Sequence, residues 1–511
     1  MSEDQNSMLR AGKGAIYVAI QSISQFAIGL IYYSILARSL TEADIGIIST
    51  LSFISTIYII VAHLSLPIAA TKHISEFMGK NDEESASAVA KRTIKLVTLI
   101  SMIVLVGIFV TLQFFFEIDQ SIKLLVMISC ATGFFATIKT TYLAILRGLQ
   151  MFRKYSITIT LATIANRGIG ITLILLNFNL LGVVTGWLIG EIIGVILVKS
   201  FYRGTLPKTE KSYSSKQLLT FSIPLFVTTL IATMSTWADR IIFLALTSDL
   251  EKLGIYDFAI RGSHTLALIW ITLSVITLPA FSELFSQKNK KELSEAISKT
   301  NRYLAYIIFP AAFGLATISK TAMALLYGWQ YALGNVLLSI LAIFSLFLAF
   351  GAVIGSALQA MGETKVFIKT TFATLLTNIL ISIALIPIFN VLGSTIAQAA
   401  TMVVGFTYAF YELRKRLKIK IGRDVLWKPL LASSIMVIPL ILFETYYSGV
   451  ISDNSIINII IEIGIGVSTY SVILIFIRAL NEQDFNELEK ITPKPFSKLL
   501  ELFKKIFVRG K

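Results

Sequence analysis

The sequence predicts an all-α integral membrane protein. About fourteen transmembrane helices form two six-helix bundles related by a pseudo-twofold axis along the membrane normal, and two further helices lie at the periphery. Three observations lead there. The 511-residue chain holds about fourteen apolar runs, most of them near the ~20 residues that cross a ~30 Å hydrocarbon core. Its basic residues fall on alternate connections between those runs, and landmarks recur at a spacing of about 210 residues.

The runs are roughly 14–37, 45–69, 96–116, 124–145, 156–176, 180–198, 218–247, 254–278, 303–319, 332–354, 370–387, 391–411, 429–447 and 456–477. Of the 45 Lys and Arg residues, Arg38, Lys123, Lys252 and Lys320 lie in odd-numbered connections, and Lys139, Arg167, Arg240 and Arg261 lie inside spans. The remaining 37 occupy the even connections and the two tails. Because short cytoplasmic loops collect Lys and Arg, this bias sets the orientation: both termini are expected to be cytoplasmic, in a multi-pass protein of the cell (plasma) membrane.

Composition agrees, with 55% hydrophobic residues, mean hydropathy +0.77 and only 15% charged residues. The net charge of +15 is a consequence of topology. Its basic residues form short clusters at span ends, without the continuous stripe or motif that nucleic acid requires, so no nucleic-acid partner is expected. One cysteine, Cys130, excludes an intramolecular disulfide, and His63, His73 and His264 are too scattered to suggest a metal site. The first run lacks a small-residue cleavage site and has span length, so it is expected to be retained.

The repeat divides the chain. Phe178-Asn179-Leu180-Leu181-Gly182 recurs as Phe389-Asn390-Val391-Leu392-Gly393, Leu149-Gln150 matches Leu358-Gln359, and Leu66-Pro67 matches Leu278-Pro279. An N-terminal bundle over 1–198 is therefore joined by a basic cytoplasmic linker, 199–217, to a C-terminal bundle over 218–411. Six spans per half make the repeats parallel, and such a pair encloses a central cavity. A cytoplasmic loop (412–428) leads to peripheral helices thirteen and fourteen (429–477), which have no repeat partner. The tail 478–511 is cytoplasmic. After Pro495, apolar residues recur at helical spacing among Lys498, Lys504, Lys505 and Arg509, which predicts a basic amphipathic helix on the anionic inner leaflet. Exterior connections are short and hold no catalytic domain, and interior loops carry no phosphate-binding glycine motif of the Walker type.

Several short motifs now bring a resemblance. They are Ala37-Arg38-Ser39-Leu40 with Asp44-Ile45-Gly46, Phe221-Ser222-Ile223-Pro224, Asp239-Arg240, Gly254-Ile255-Tyr256 with Ala259 and Arg261, Leu278-Pro279, Phe309-Pro310, Leu326-Tyr327-Gly328 with Tyr331, Gln359-Ala360-Met361-Gly362, and Ile386-Pro387 before Leu392-Gly393. In that order, over about residues 10–415, they resemble the multidrug/oligosaccharidyl-lipid/polysaccharide exporter superfamily, and within it the polysaccharide repeat-unit (O-antigen type) flippases. Spans thirteen and fourteen fit its fourteen-span members. The resemblance implies a membrane flippase, not an enzyme, that passes a polyprenyl-(di)phosphate-linked oligosaccharide from inner to outer leaflet by alternating access. Its expected partners are that lipid-linked oligosaccharide, membrane lipids and glycan-assembly enzymes.

Charged residues inside spans cost roughly 2.5–3.5 kcal/mol each on insertion scales, so they face cavities or partners. At 1.5 Å rise per residue, Arg167 and Glu191 are both ~15–18 Å deep on either side of one exterior turn, and are expected to form a structural pair. Asp239 and Arg240 lie level with Arg261, and Asp257 is one turn from Arg261. Lys139 has no obvious acidic partner. An anionic diphosphate head with many hydroxyls calls for cations and neutral hydrogen-bonding groups. Lys139, Arg240 and Arg261 are expected to supply the cations, and Gln21, Gln25, His63 and His264 the hydroxyl partners. Asp239, Asn378 and Thr374 resemble the side chains that hold a coupling sodium ion or proton in relatives. No other cofactor is expected. The alternatives are an ion-coupled multidrug or metabolite antiporter of the same fold, a membrane glycan polymerase or ligase, and a non-transporting membrane scaffold.

Overall fold

The computed structural model describes residues 3–115, 117, 119–417, 423–446 and 455–479. Every regular element among them is helical. The first half runs α1 (Glu3–Ser39), α2 (Glu42–His63), α3 (Leu66–Gly79), α4 (Glu83–Phe115), α5 (Gln120–Gly148), α6 (Phe152–Leu175) and α7 (Asn179–Tyr202). The second continues with α8 (Ser215–Thr247), α9 (Leu250–Ser263), a 3₁₀ turn (His264–Leu266), α10 (Ala267–Ser286), α11 (Lys290–Thr317), α12 (Ser319–Tyr327), a second 3₁₀ segment (Trp329–Gly334), α13 (Asn335–Ala360), α14 (Thr364–Phe389) and α15 (Val391–Leu417). Last come α16 (Arg423–Tyr446) and α17 (Ser455–Phe476). Thirteen helices among the described residues are long and apolar enough to cross a membrane, and counting α11 and α12, bent by 77°, as one span brings the number to the expected fourteen. The predicted amphipathic helix after Pro495 lies outside the described residues.

The chain packs as two compact units, Met1–Asp257 with Asn378–Ser394, and Phe258–Thr377 with Thr395–Lys511. In the first unit, α6 and α7 form an antiparallel hairpin closed by the Asn177–Asn179 turn, and small residues let the pair approach. A Cβ on Gly186 would come within 2.5 Å of the Gly170 backbone, and one on Gly190 within 2.4 Å of Asn166. In the second unit the core is built from α10, α11 and α13 around Leu304, Ile308, Phe309, Leu346 and Phe350.

One pair of the repeated landmarks shares its local conformation. Asn179 and Asn390 both adopt left-handed backbone at the start of α7 and α15, and Gly182 and Gly393 press against Leu173 and Leu385 of the preceding helix. Two sequence landmarks need correction. The left-handed residue that follows α5 is Gln150, and the one that follows α13 is Gly362, so the two Leu-Gln pairs are three residues out of structural register. Pro67 opens α3 after a break at Leu64 and Ser65, whereas Pro279 lies inside α10. The physical reason is that proline serves equally in a first helical turn, where its missing N–H is not needed, and at a mid-helix bend.

On the basic, linker side, α4 begins at an Asp82 cap that accepts from the Ser85 N–H at 3.0 Å. These Ser85 contacts hold the Asp82 carboxyl below its ordinary range. Lys211 of the linker is bonded to Glu84 at 2.9 Å, which raises its ammonium above the usual value. The Ser87 hydroxyl donates to the Pro207 carbonyl at 2.7 Å, so the linker is tied back onto the first bundle.

Candidate functional site

Inside the first unit, α1, α2, α5, α6 and α7 enclose a polar cavity of 260 Å³. Its wall includes Tyr32, Thr132, Lys139, Asn166, Arg167 and Glu191, with Ser52, Ser55 and Thr56 from α2. Lys139 lies in the second half of α5, and its Nζ is 2.7 Å from both Glu191 carboxylate oxygens. Both side chains are about 15% exposed, so this is a buried ion pair between α5 and α7. The expected Arg167–Glu191 couple is thereby corrected, as is the expectation that Lys139 lacks an acidic partner. Depth along the span places all three groups at one level but does not say which neighbour faces α7, and α5 packs there as well as α6.

Arg167 instead turns toward α1. Its Nη1 donates to the Gln25 carbonyl at 3.3 Å, and its guanidinium lies 5.5 Å and 5.7 Å from the Tyr32 and Tyr33 ring centroids. Gln21 donates to Gln25, whose own amide donates to the Thr163 hydroxyl at 3.2 Å. A polar ladder thus runs along the α1–α6 face into the cavity. Lys139 also lines a second cavity of 410 Å³ between α2, α3, α5, α6 and α8, together with His63 and Arg147. His63 Nδ1 accepts the Ser65 N–H at 3.0 Å, satisfying the backbone at the break between α2 and α3.

A second charged group occupies the same unit around the end of α8. Arg240 Nε stands 3.9 Å from Asp257, its guanidinium lies 4.5 Å from the Trp237 ring, and Ser49 donates to Asp257 at 3.2 Å. Asp239 is fully buried and accepts from the Tyr256 hydroxyl at 2.5 Å, which is also 3.1 Å from the Ser394 carbonyl. Its other oxygen has no hydrogen-bond partner among the described residues. Asn378, also fully buried, donates to the Ser235 carbonyl at 3.4 Å and accepts from Ser382. Thr374 belongs to the second unit and donates to the Thr371 carbonyl one turn back. Arg261 and His264 are in the second unit too, half-buried and exposed respectively.

Sequence reasoning missed Ser49 and Tyr256. The signal was present: Ser49 precedes Asp257 by the same 208 residues that separate Gly46 from Gly254, and these two glycines mark a tight crossing of α2 with the first turns of α9. A Cβ on Gly46 would fall 2.1 Å from the Leu250 carbonyl oxygen, and one on Gly254 would fall 2.0 Å from that of Glu42.

The long apolar helices around a charged polar lumen have a fold also seen in solved membrane transporters. "Lipid II flippase MurJ, inward closed conformation" superposes with a TM-score of 0.72 at 18% identity, over 91% of this chain and 99% of that one. An inward-facing multidrug resistance MATE family transporter gives 0.63 at 17% identity, over 80% and 100%. Residues 35–333, more than half of the chain, match the family described as Polysaccharide biosynthesis protein, and the chain belongs to that family. Among curated relatives, the probable low-salt glycan biosynthesis flippase Agl15 of Haloferax volcanii is 24% identical over 50% of this chain and 54% of its own length. The match therefore spans about half of that relative. The lipid II flippase MurJ of Bacillus subtilis is 22% identical over 75% of this chain and 78% of its length.

Proposed function

We propose that this protein is a flippase that carries polyprenyl-phosphate- or polyprenyl-diphosphate-linked oligosaccharide from the inner to the outer leaflet of the cell membrane, serving polysaccharide or glycan assembly, with both termini cytoplasmic. The observation that carries this reading is the polar cavity of the first unit, where two cations, Lys139 and Arg167, stand against one carboxylate, Glu191. A net positive lumen walled by hydroxyls and amides suits an anionic phosphate head with its sugars, while the polyprenyl tail stays in lipid. Family membership and the printed names of the relatives support the same substrate class. A multidrug antiporter of the same fold would more often carry organic cations, for which this lumen has the wrong sign. Asp239, buried and with one oxygen that has no hydrogen-bond partner among the described residues, is the group we assign to a coupling sodium ion or proton. We assign the protein transport and no catalytic reaction.

Binding tests the reading directly. Native mass spectrometry of the purified protein should retain a polyprenyl-diphosphate disaccharide, and Arg167→Ala should weaken that binding roughly tenfold or more, the worth of one charge-assisted hydrogen bond. Retention of an uncharged polyprenyl glycoside as strong as that of the diphosphate, or equal retention of the diphosphate by both proteins, would contradict it.

A further inference from the structure

The second unit carries a cavity of 490 Å³ between α11, α16 and α17, remote in sequence from every residue of the polar lumen. Its wall is apolar apart from the Glu462 carboxylate and the hydroxyls of Tyr306 and Tyr470. Tyr306, Pro310, Gly314, Met436, Leu440 and Tyr470 line it, and Glu462 of α17 projects into it. Ile307, Ile463 and Val467, also on the wall, are each more than half exposed, so the cavity opens onto the apolar exterior of the helices.

Glu462 is 1% exposed, and neither of its carboxylate oxygens has a hydrogen-bond partner among the described residues. It lies about 10 Å along α17 from Ser455, inside the apolar stretch Ile456–Phe476. The other polar atoms on the wall are used: the Tyr306 hydroxyl donates to the Ala479 carbonyl at 2.7 Å, and the Tyr470 hydroxyl donates to the Tyr306 carbonyl at 3.0 Å. Glu444 on α16 acts on Glu462 by like-charge repulsion, while Lys320 acts on Glu444. An unpaired acid this deep is expensive and usually marks a function. A plain acyl chain would fill the volume and leave the carboxylate without a counter-charge. A cation with apolar arms would satisfy both, with the two tyrosine rings adding attraction.

We infer that this cavity is a binding site for a lipophilic monocation, held by Glu462 and entered from the lipid side. The inference is independent of the flippase reading, since none of its residues lines the polar lumen. Tetraphenylphosphonium is a suitable probe, applied to the full-length protein in nanodiscs of zwitterionic lipid. One saturable site per chain is expected. Glu462→Gln should weaken it about tenfold or more, by loss of a charged partner. Gly314→Leu, which fills the cavity and leaves the acid in place, should abolish it, whereas the exposed acid variant Glu251→Gln should bind like wild type. Should Glu462→Gln fail to fold, Gly314→Leu decides. Absence of saturable binding by the wild type, or wild-type affinity in either Glu462→Gln or Gly314→Leu, overturns the proposal. So does binding of a neutral apolar probe that tetraphenylphosphonium does not displace.

Discussion

Lys139 decides the charge of the lumen. Its ammonium neutralises Glu191 in a place that water barely reaches, so removing it strands a buried carboxylate, which typically destabilises by about 3–5 kcal/mol. Lys139→Ala is therefore expected to lower protein abundance, and adding Glu191→Gln to it should restore abundance by removing the stranded charge. Fluorescence-detected size exclusion checks both. Arg167→Ala, which leaves that pair intact, should instead keep near-normal abundance. This reverses the assignment of roles that span depth alone suggests. The charged residues of the site were all legible in the sequence, because an apolar span makes each of them conspicuous. Their partners were not. Helical depth gives one coordinate of a side chain, and the other two depend on which helices are neighbours and on rotamers such as the one that turns Arg167 onto Tyr32 and Tyr33.

Among the elements, the crossing of α2 with the first turns of α9 is the most constrained. Two glycines placed 208 residues apart each face a carbonyl oxygen of the other helix, at distances no Cβ can occupy. Gly46→Ala or Gly254→Ala must push these helices apart, at a cost of roughly 1–3 kcal/mol, and the melting temperature should fall by several degrees in either variant. An unchanged melting curve would mean that the crossing is looser than described. A second element-scale contact joins the turn after α13 to the end of α15, where Arg416 Nε bonds Glu363 at 2.9 Å. The Arg416 hydrogen bond holds the Glu363 carboxyl below its ordinary value of 4.5. A depressed carboxyl contributes its stabilisation above that ordinary value and loses it as pH falls through the folded value. Hydrogen exchange in residues 361–364, corrected for intrinsic rates, should thus rise below about pH 4.5 in the wild type but be insensitive to pH in Glu363→Gln. Helix existence was readable from the apolar runs, and the turn at Asn390 from its repeat of Asn179. The break at Leu64 and Ser65 was not, because its left-handed residues are neither glycine nor asparagine and carry no compositional mark.

For the whole molecule, the run of apolar spans and the alternation of basic residues between them gave the fold class, since lipid permits few other structures. The orientation proposed above rests on the same charges. With Cys130 replaced, a cysteine at Ser214 should resist a membrane-impermeant thiol reagent in intact cells and react once the membrane is opened. The motifs suggested the substrate class proposed above, whereas the shape of the lumen was not legible, because it forms where five helices converge whose lining residues run from Tyr32 to Glu191. The most direct measurement is translocation by the purified protein in proteoliposomes, using a fluorescent oligosaccharide on a polyprenyl diphosphate and a matched lipid with an uncharged linkage. The account predicts that the diphosphate-linked glycan crosses, that the neutral one does so far more slowly, and that Arg167→Ala slows the former at equal protein density. Equal rates for the two lipids, or rates no faster than protein-free vesicles, would contradict it.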